Sequence, residues 1–398
     1  MPYIPFHFLK IIFISLTLGA QIILYRITAA YSREFGAGRR FTRVYLPAIF
    51  IVLNLPLFFI HYNPGLFYDG PARTYIMMPF YAYETLSIAV LFAALFVVVV
   101  RAPIRIIRHM RNKTVTGMSA HSESRRTFIK KGTIGLGAFA FAGSLYSIYD
   151  RDDFKIDRVP LHLKNLPPQL EGLTISMISD IHSGLYMTEE DMLKYAGVVN
   201  ELGADMIFIP GDFVTSTNSE MIPFVKAFAG LKSKYGTYTC LGNHDFFADP
   251  DYITGELRRT GMKVLRNETE ELDINGARLI LSGVDDGRHA NFAKVAFEAA
   301  SLNTTKILLC HKPYLFERAV AGGFDLMLSG HTHGGQIVLV DVLGFKLTPA
   351  ALASPYISGK YKLGNSLMYV SRGIGTIGLP IRVNCPPEIT LFTLRNKT

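Results

Sequence analysis

The chain has 398 residues, a formal net charge of +9, and side chains that are 18% charged and 49% hydrophobic. Soluble enzymes carry about 25% charged residues, so composition argues against a wholly soluble protein. Three cysteines, Cys240, Cys310 and Cys385, with no CxxC pair, argue against a zinc ribbon, a thioredoxin-like centre and a disulfide framework.

Four apolar segments come first, at 8–30, 44–61, 75–100 and 133–149. A helix needs about 20 mainly apolar residues to cross a bilayer. The third segment, ending LSIAVLFAALFVVVV, is the strongest, and the second holds Pro47, Asn54 and Pro56. Residues 1–150 are therefore expected to form an all-α, multi-pass region of about four transmembrane helices. Basic residues collect between the spans: five arginines in 26–43, and nine Lys/Arg from Arg101 to Lys131 against the single acid Glu123. A nucleic-acid footprint would be a basic face on a folded domain. Here the charge flanks apolar runs, so no nucleic-acid partner is expected. By loop charge, 26–43 and 101–131 face the cytoplasm, and everything after about 150 lies on the outer side. Residues 124–130, Ser-Arg-Arg-Thr-Phe-Ile-Lys, precede the last apolar run and resemble a twin-arginine export signal. Among polar residues of the apolar segments, Glu84 is expected near an outer end, facing water.

From about 160 the pattern changes. Eight runs read as strands: 173–179, 206–210, 236–241, 278–284, 306–310, 326–329, 367–371 and 389–394. Segments 188–202, 219–232, 250–260 and 291–300 read as helices. Such alternation predicts an α/β domain over 155–398 with a buried sheet.

Polar residues gather at the carboxyl ends of five of these strands, where open α/β sheets bind ligands. They are Asp180-Ile181-His182, Gly211-Asp212, Gly242-Asn243-His244-Asp245, His311 and Gly330-His331-Thr332-His333. In an extended segment residues i and i+2 project to one side, so Asp180 with His182, and His331 with His333, can each grip one ion. The glycines before Asp212, Asn243 and His331 are expected to allow sharp turns. A mixed Asp/His/Asn set suits Mn, Fe or Zn. No Gly-x-Ser-x-Gly elbow or P-loop lysine motif is present.

Together these motifs resemble the calcineurin-like metallophosphoesterase superfamily. The segments Ser371-Arg372-Gly373-Ile374-Gly375 and Cys385-Pro386-Pro387-Glu388-Ile389 resemble its membrane-associated bacterial branch. The resemblance implies a four-layer α/β/β/α sandwich and two divalent metal ions. One ion would be held by Asp180, His182, Asp212 and His333, the other by Asp212, Asn243, His311 and His331. A two-metal-activated hydroxide would attack a phosphodiester or phosphomonoester, with His244 as the catalytic histidine. The implied home is a bacterial cytoplasmic membrane with the catalytic domain outside. Its implied partners are membrane lipids and a phosphoester substrate, lipid- or envelope-linked.

Further expectations are looser. Arg372 is a candidate contact for a substrate phosphate, and Asp245 a candidate to orient His244. Thr215 and Ser216 read as loop residues. Arg288 and His289, near Asp285 and Asp286, and Tyr186 with Phe246 are candidates to line the cleft. Competing readings are a UDP-2,3-diacylglucosamine pyrophosphatase, a non-catalytic scaffold and a membrane sensor.

Overall fold

The computed structural model describes residues 6–34, 36–62, 73–77, 79–84, 86–88, 153–164, 166–300, 304–342 and 345–397. The chain divides into two compact units, Met1–Tyr149 and Asp150–Thr398.

In the first unit, α1 (Phe6–Glu34) and α2 (Leu46–Tyr62) cover the first two apolar segments. Among the described residues one helix, Ile14–Glu34, is long and apolar enough to cross a membrane. That is fewer than the four expected spans. The segment at 75–100 is described only to residue 88, and 101–131, the twin-arginine-like stretch and 133–149 lie outside the described residues. Glu84 does not face water: it is buried and accepts a hydrogen bond from Gln21 Nε2 at 2.5 Å. Nearby, Asn54 donates to the Tyr83 hydroxyl, and Phe50 packs edge-on to Tyr25 and Tyr83.

The second unit is built on two six-stranded sheets. The first runs β1 (Lys155–Leu163), β14 (Glu388–Asn396), β2 (Thr174–Met177), β3 (Met206–Pro210), β4 (Thr237–Cys240), β5 (Lys263–Val264). The second runs β12 (Gly359–Leu363), β13 (Ser366–Val370), β9 (Leu326–Ser329), β8 (Thr305–Leu309), β7 (Ala277–Gly283), β6 (Glu268–Ile274). Parallel pairing joins β2 to β3 to β4, and β7 to β8 to β9. These strands therefore end at the same edge of their sheets. Parallel strands need crossovers, and here helices supply them: α3 (Glu189–Glu201) after β2, α4 (Met221–Phe228) after β3, α5 (Pro250–Arg259) after β4, α6 (Phe292–Ala300) after β7 and α7 (Phe316–Ala321) after β8. α3 begins at a capping box between Thr188 and Asp191, and α5 at an Asp249 cap with Pro250 in its first turn.

Three apolar cores define the layers. One joins both sheets through Ile175, Phe208, Tyr238, Leu281, Leu309 and Leu328. The second packs α3, α4 and α5 on the first sheet through Tyr195, Phe224 and Leu257. In the third, α6 and α7 pack on the second sheet through Val295 and Phe316. The result is helix, sheet, sheet, helix, with the strand-end loops of both sheets free to meet along one edge.

Candidate metal centre

All eight residues expected at the strand ends come from five loops, and the loops converge. The oxygen and nitrogen atoms of Asp180, His182 and His333 lie within 4.8 Å of one another, as do those of His182, Asp212 and His244, and those of Asp212, His311 and His331. His182 and Asp212 each belong to two groups, so the three form one continuous cluster.

The backbone is bent to make this happen. Asp180, His182, Asp212, His331 and His333 all have positive φ, between 50° and 76°. That region costs a non-glycine residue about 1 kcal/mol or more and clusters at functional sites. Of the expected glycine turns, Gly211 fits, with φ 91°. Gly242 and Gly330 serve differently: a Cβ at Gly242 would collide with Asp212 Oδ1, and one at Gly330 with Asp180 Oδ2. They leave room for carboxylates rather than turn the chain.

Four of the ligand candidates are oriented from behind, while His182 Nδ1 is buried without a hydrogen-bond partner. His244 N–H donates to Asp212 Oδ1 at 2.8 Å, leaving Oδ2 facing His311 Nε2 at 3.0 Å and His182 Nε2 at 3.6 Å. His331 N–H donates to Asp180 Oδ1 at 2.7 Å. The Nδ1 atoms of His311 and His333 face the carbonyls of Pro210 (2.8 Å) and Gly375 (3.3 Å). A carbonyl only accepts, so both Nδ1 atoms carry the proton and both Nε2 lone pairs point into the cluster, the usual arrangement behind a metal-bound histidine.

The residues fit cations. His182 Nε2 and His333 Nε2 stand 3.1 Å apart, about the separation of two nitrogens that share one ion at ~2.1 Å. Asn243 Oδ1 is buried without a hydrogen-bond partner, and His311 Nε2 makes no hydrogen bond despite its closeness to Asp212. Such orphaned atoms call for an explanation, and a shared cation supplies one. Burial holds His182 and His331 well below the ordinary imidazole range, and lowers His333 to about 4. These rings are neutral, as ligands must be. Burial also opposes charge on His311, but the Asp212 carboxylate outweighs it and raises the imidazole to about 10. Without a cation, a proton takes its place there.

His244 is set by the loop after β3. Its Nδ1 donates to the Thr215 carbonyl at 2.5 Å, and its ring meets His182 edge-on with centroids 4.6 Å apart. Thr215 is thus more than a plain loop residue. Asp245, expected to orient His244, does something else. It is fully buried and accepts from four backbone N–H groups, those of Asp212, Phe213, Val214 and Gly242, at 2.8–3.4 Å. It ties the Asp212 loop to the Asn243 loop.

Arg372, expected at a substrate phosphate, is committed elsewhere. Its guanidinium pairs with Asp157 at 2.9 Å and Glu388 at 3.0 Å and donates to the Pro386 carbonyl. It braces β1 to the start of β14. Of the looser candidates, Phe246 stacks on His289 (centroids 4.6 Å), Arg288 Nε donates to His289 Nε2, and the Tyr186 hydroxyl donates to Gly378 O.

Two residues were missed in the sequence. Glu220 Oε2 accepts from the N–H groups of Thr215, Ser216 and Thr217, which shapes the loop holding His244. Its signal was present: Thr217-x-x-Glu220 is a capping box. Arg382 is buried and donates to the carbonyls of Arg372, Gly373, Gly375, His333 and Cys385. No sequence signal marks it, since apart from Cys385 Sγ at 3.8 Å its partners are backbone carbonyls.

A two-sheet sandwich with an Asp/His cluster at the shared strand-end edge defines a metallohydrolase class of site. Residues 173–335 match the calcineurin-like phosphoesterase family. The chain is 35% identical over 240 residues to a metallophosphoesterase of Campylobacter jejuni, covering 58% of this chain and 62% of that one. It is 32% identical over 255 residues to the transmembrane protein with metallophosphoesterase domain of Bos taurus, covering 60% and 56%. Over 285 residues it is 30% identical to metallophosphoesterase YkuE of Bacillus subtilis, covering 69% of this chain and 98% of that one. The chain belongs to the calcineurin-like metallophosphoesterase family. It spans about three fifths of the Campylobacter and Bos relatives. Animal relatives stand beside bacterial ones, so the family likeness is wider than the expected bacterial branch.

Proposed function

We propose that residues 155–398 hydrolyse phosphodiester or phosphomonoester bonds with two divalent cations, Mn, Fe or Zn. The observation that carries this reading is the convergence of Asp180, His182, Asp212, His311, His331 and His333 on one edge, five of them in strained backbone, with Asn243 Oδ1 buried and unpartnered. Asp180, His182, Asp212 and His333 hold one cation; Asp212, Asn243, His311 and His331 hold the other. When bound, such a pair polarises a phosphoryl oxygen and lowers the pKa of bound water. The chain supplies the rest. Asp212 Oδ2 lies between His182 and His311 and joins the two ligand sets. His244, with Nδ1–H tied to Thr215, presents Nε2 to a phosphate or leaving-group oxygen and, as the doubly protonated ring, donates its Nε2 proton there. The bent backbone keeps all these groups in place before substrate arrives, so little reorganisation is needed at the moment of reaction.

The membrane setting is part of the proposal. Helix α1 is long enough to span, and a Bos taurus relative is named a transmembrane protein. The arginine-rich loops support further spans, a cytoplasmic face for 26–43 and 101–131, and an extracytoplasmic catalytic domain. The twin-arginine-like stretch fits export of a folded, metal-loaded domain.

The test is hydrolysis of bis(p-nitrophenyl) phosphate and p-nitrophenyl phosphate by the full chain in detergent, stripped with EDTA and reloaded with Mn. Activity should vanish on stripping and return on reloading. Asp212→Ala should lose both activity and bound metal. His244→Ala should keep its metal and lose about 10²–10⁴-fold in kcat. A chain that takes up no metal at millimolar Mn would sink the proposal.

A further inference from the structure

Beside the metal cluster lies a cleft of about 280 Å³. His331 and His333 contribute to its lining, with Ile337, Ala350, Ala353 and Ile377. None of its lining residues is Asp, Glu, Lys or Arg. Its other polar side chains are already partnered inside the protein. Thr332 Oγ1 donates to Ile357 O, and Ser354 Oγ donates to Tyr356 O. Gln336 donates to Ile377 O and Leu379 O and accepts from Ile377 N–H. The cleft therefore offers an incoming molecule apolar surface and the two histidines, and little else.

The same stretch of chain builds an apolar lip. β10 (Val340–Val342) pairs antiparallel with β11 (Phe345–Leu347), Val340 opposite Leu347. Side chains alternate along a strand, so Val340 and Val342 share a face with Leu347, and all three are exposed. Leu339 is 64% exposed, and Leu352, on the turn Pro349–Leu352 whose Pro349 and Ala350 line the cleft, is 94% exposed. Scattered surface leucines are normal; three aliphatic residues on one face of a hairpin, with Asp341 and Lys346 paired on the other and Leu352 close by in the chain, mark an interaction surface.

We infer that this cleft takes the hydrocarbon tail of an amphiphilic phosphoester, and that Val340, Val342, Leu347 and Leu352 rest in a lipid surface through which that substrate enters. The inference rests on the hydrolase reading above for the substrate and on the lip alone for the lipid. Three features favour lipid over a protein partner. A tail needs no hydrogen bonds, and the cleft offers none beyond its histidines. Apart from Ile377, the cleft's lining and the lip come from one stretch of sequence, 331–354. The chain also carries in α1 a helix long and apolar enough to cross a bilayer.

The chain has no tryptophan, so the Leu352→Trp variant carries a sole fluorescent reporter on the lip, and Leu363→Trp carries one on strand β12. Each full-length variant is placed in phosphatidylcholine vesicles with and without brominated acyl chains. Bromine should quench the Leu352→Trp variant and leave Leu363→Trp unquenched; equal emission from Leu352→Trp in both vesicles overturns the lip. The tail is read with p-nitrophenyl hexadecyl phosphate against its methyl analogue. In each, water's oxygen joins phosphorus as the P–O bond to p-nitrophenolate breaks, leaving the alkyl phosphate. The hexadecyl ester should win by at least about tenfold in kcat/KM, and Ala353→Trp should bring that ratio near one. A wild-type ratio near one overturns the tail site. Both esters inert with the Leu352→Trp variant still quenched would sink the hydrolase reading and keep the lip.

Discussion

The two sheets contribute to the centre in different ways. Loops after β2, β3 and β4 bring both carboxylates, Asp180 and Asp212, together with Asn243; loops after β8 and β9 bring only histidines. Their bracing differs in the same sense. On the first sheet, backbone N–H groups converge on buried acids: four on Asp245 and three on Glu220. Behind His333, backbone carbonyls converge on a buried cation, Arg382. The reason lies in the turns. A residue with positive φ followed by helical or bridge backbone points successive N–H groups inward as a nest for an anion, and Asp212 at φ 58° makes such a nest for Asp245. Around His333 and Gly375 it is the carbonyls that turn inward, and a guanidinium with five donors satisfies them. Each half of the site thus braces its loops with buried ionisable side chains of one kind, acids on the first sheet and a guanidinium behind His333.

Breaking the acid brace should have the largest effect. Asp245→Ala leaves four buried N–H groups unsatisfied, each costing about 1–3 kcal/mol. Even with water entering, a loss of about 4 kcal/mol is expected, or roughly 10 °C in the melting temperature for a domain of this size. Asp245→Asn should fall between, because its amide nitrogen cannot accept. Thermal unfolding of the full chain in detergent reads both, and an unchanged Asp245→Ala melting point would remove Asp245 from the comparison.

Breaking the cation brace should cost less stability and more metal. A buried guanidinium without a carboxylate partner is itself poorly solvated, and burial lowers its pKa. Arg382→Met therefore removes a desolvation cost along with its hydrogen bonds, and about 2 kcal/mol is expected. Yet Gly375 O, which Arg382 holds, is also the acceptor for His333 Nδ1. Metal affinity at the Asp180, His182 and His333 group should fall about 10–100-fold. Titration calorimetry on the stripped chain would show one of two binding steps weakened; two equally weakened steps would mean Arg382 acts on the fold at large.

The same contrast between inside and edge governed what could be read from the sequence. All eight expected strands are interior: β14, β2, β3 and β4 in one sheet, β13, β9, β8 and β7 in the other. Buried on both faces, they read as plain apolar runs, such as Met206–Pro210, wholly buried. The four unread strands of these sheets, β1, β5, β6 and β12, are the four edges. β6 reads Glu-Thr-Glu-Glu-Leu-Asp-Ile and β1 contains Pro160, features that protect an edge and hide it from a hydrophobic scan. The candidate ligands were legible because metal-binding chemistry demands fixed side-chain types at strand ends. Arg382 was not, because its work is done on backbone carbonyls that any sequence provides, and Arg372 misled because an arginine in a glycine-rich loop looks the same whether it meets a phosphate or, as here, Asp157 and Glu388.

The smallest effect should come from Glu220→Gln, and it separates charge from geometry in the acid brace. One oxygen, Oε2, takes all three N–H groups, and an amide oxygen can replace it. At acid pH, with the carboxyl protonated, the two side chains are both neutral acceptors and should differ by less than about 1 kcal/mol. Toward neutral pH the difference moves in glutamine's favour. Burial holds the Glu220 carboxyl above the ordinary range despite those N–H donors, so in the window between its unfolded and folded pKa the folded chain binds more protons. Stability from this residue then falls as pH rises through the folded pKa, and glutamine has no such loss. Glu220→Gln should therefore gain stability relative to wild type from acid toward neutral pH, with kcat within about threefold of wild type because Thr215 still holds His244. Glu220→Ala, which frees the loop, should instead lower kcat about tenfold at unchanged metal content. If glutamine were as damaging as alanine, the brace would depend on the negative charge, and the acid half of the site would be an electrostatic device rather than a hydrogen-bonding one.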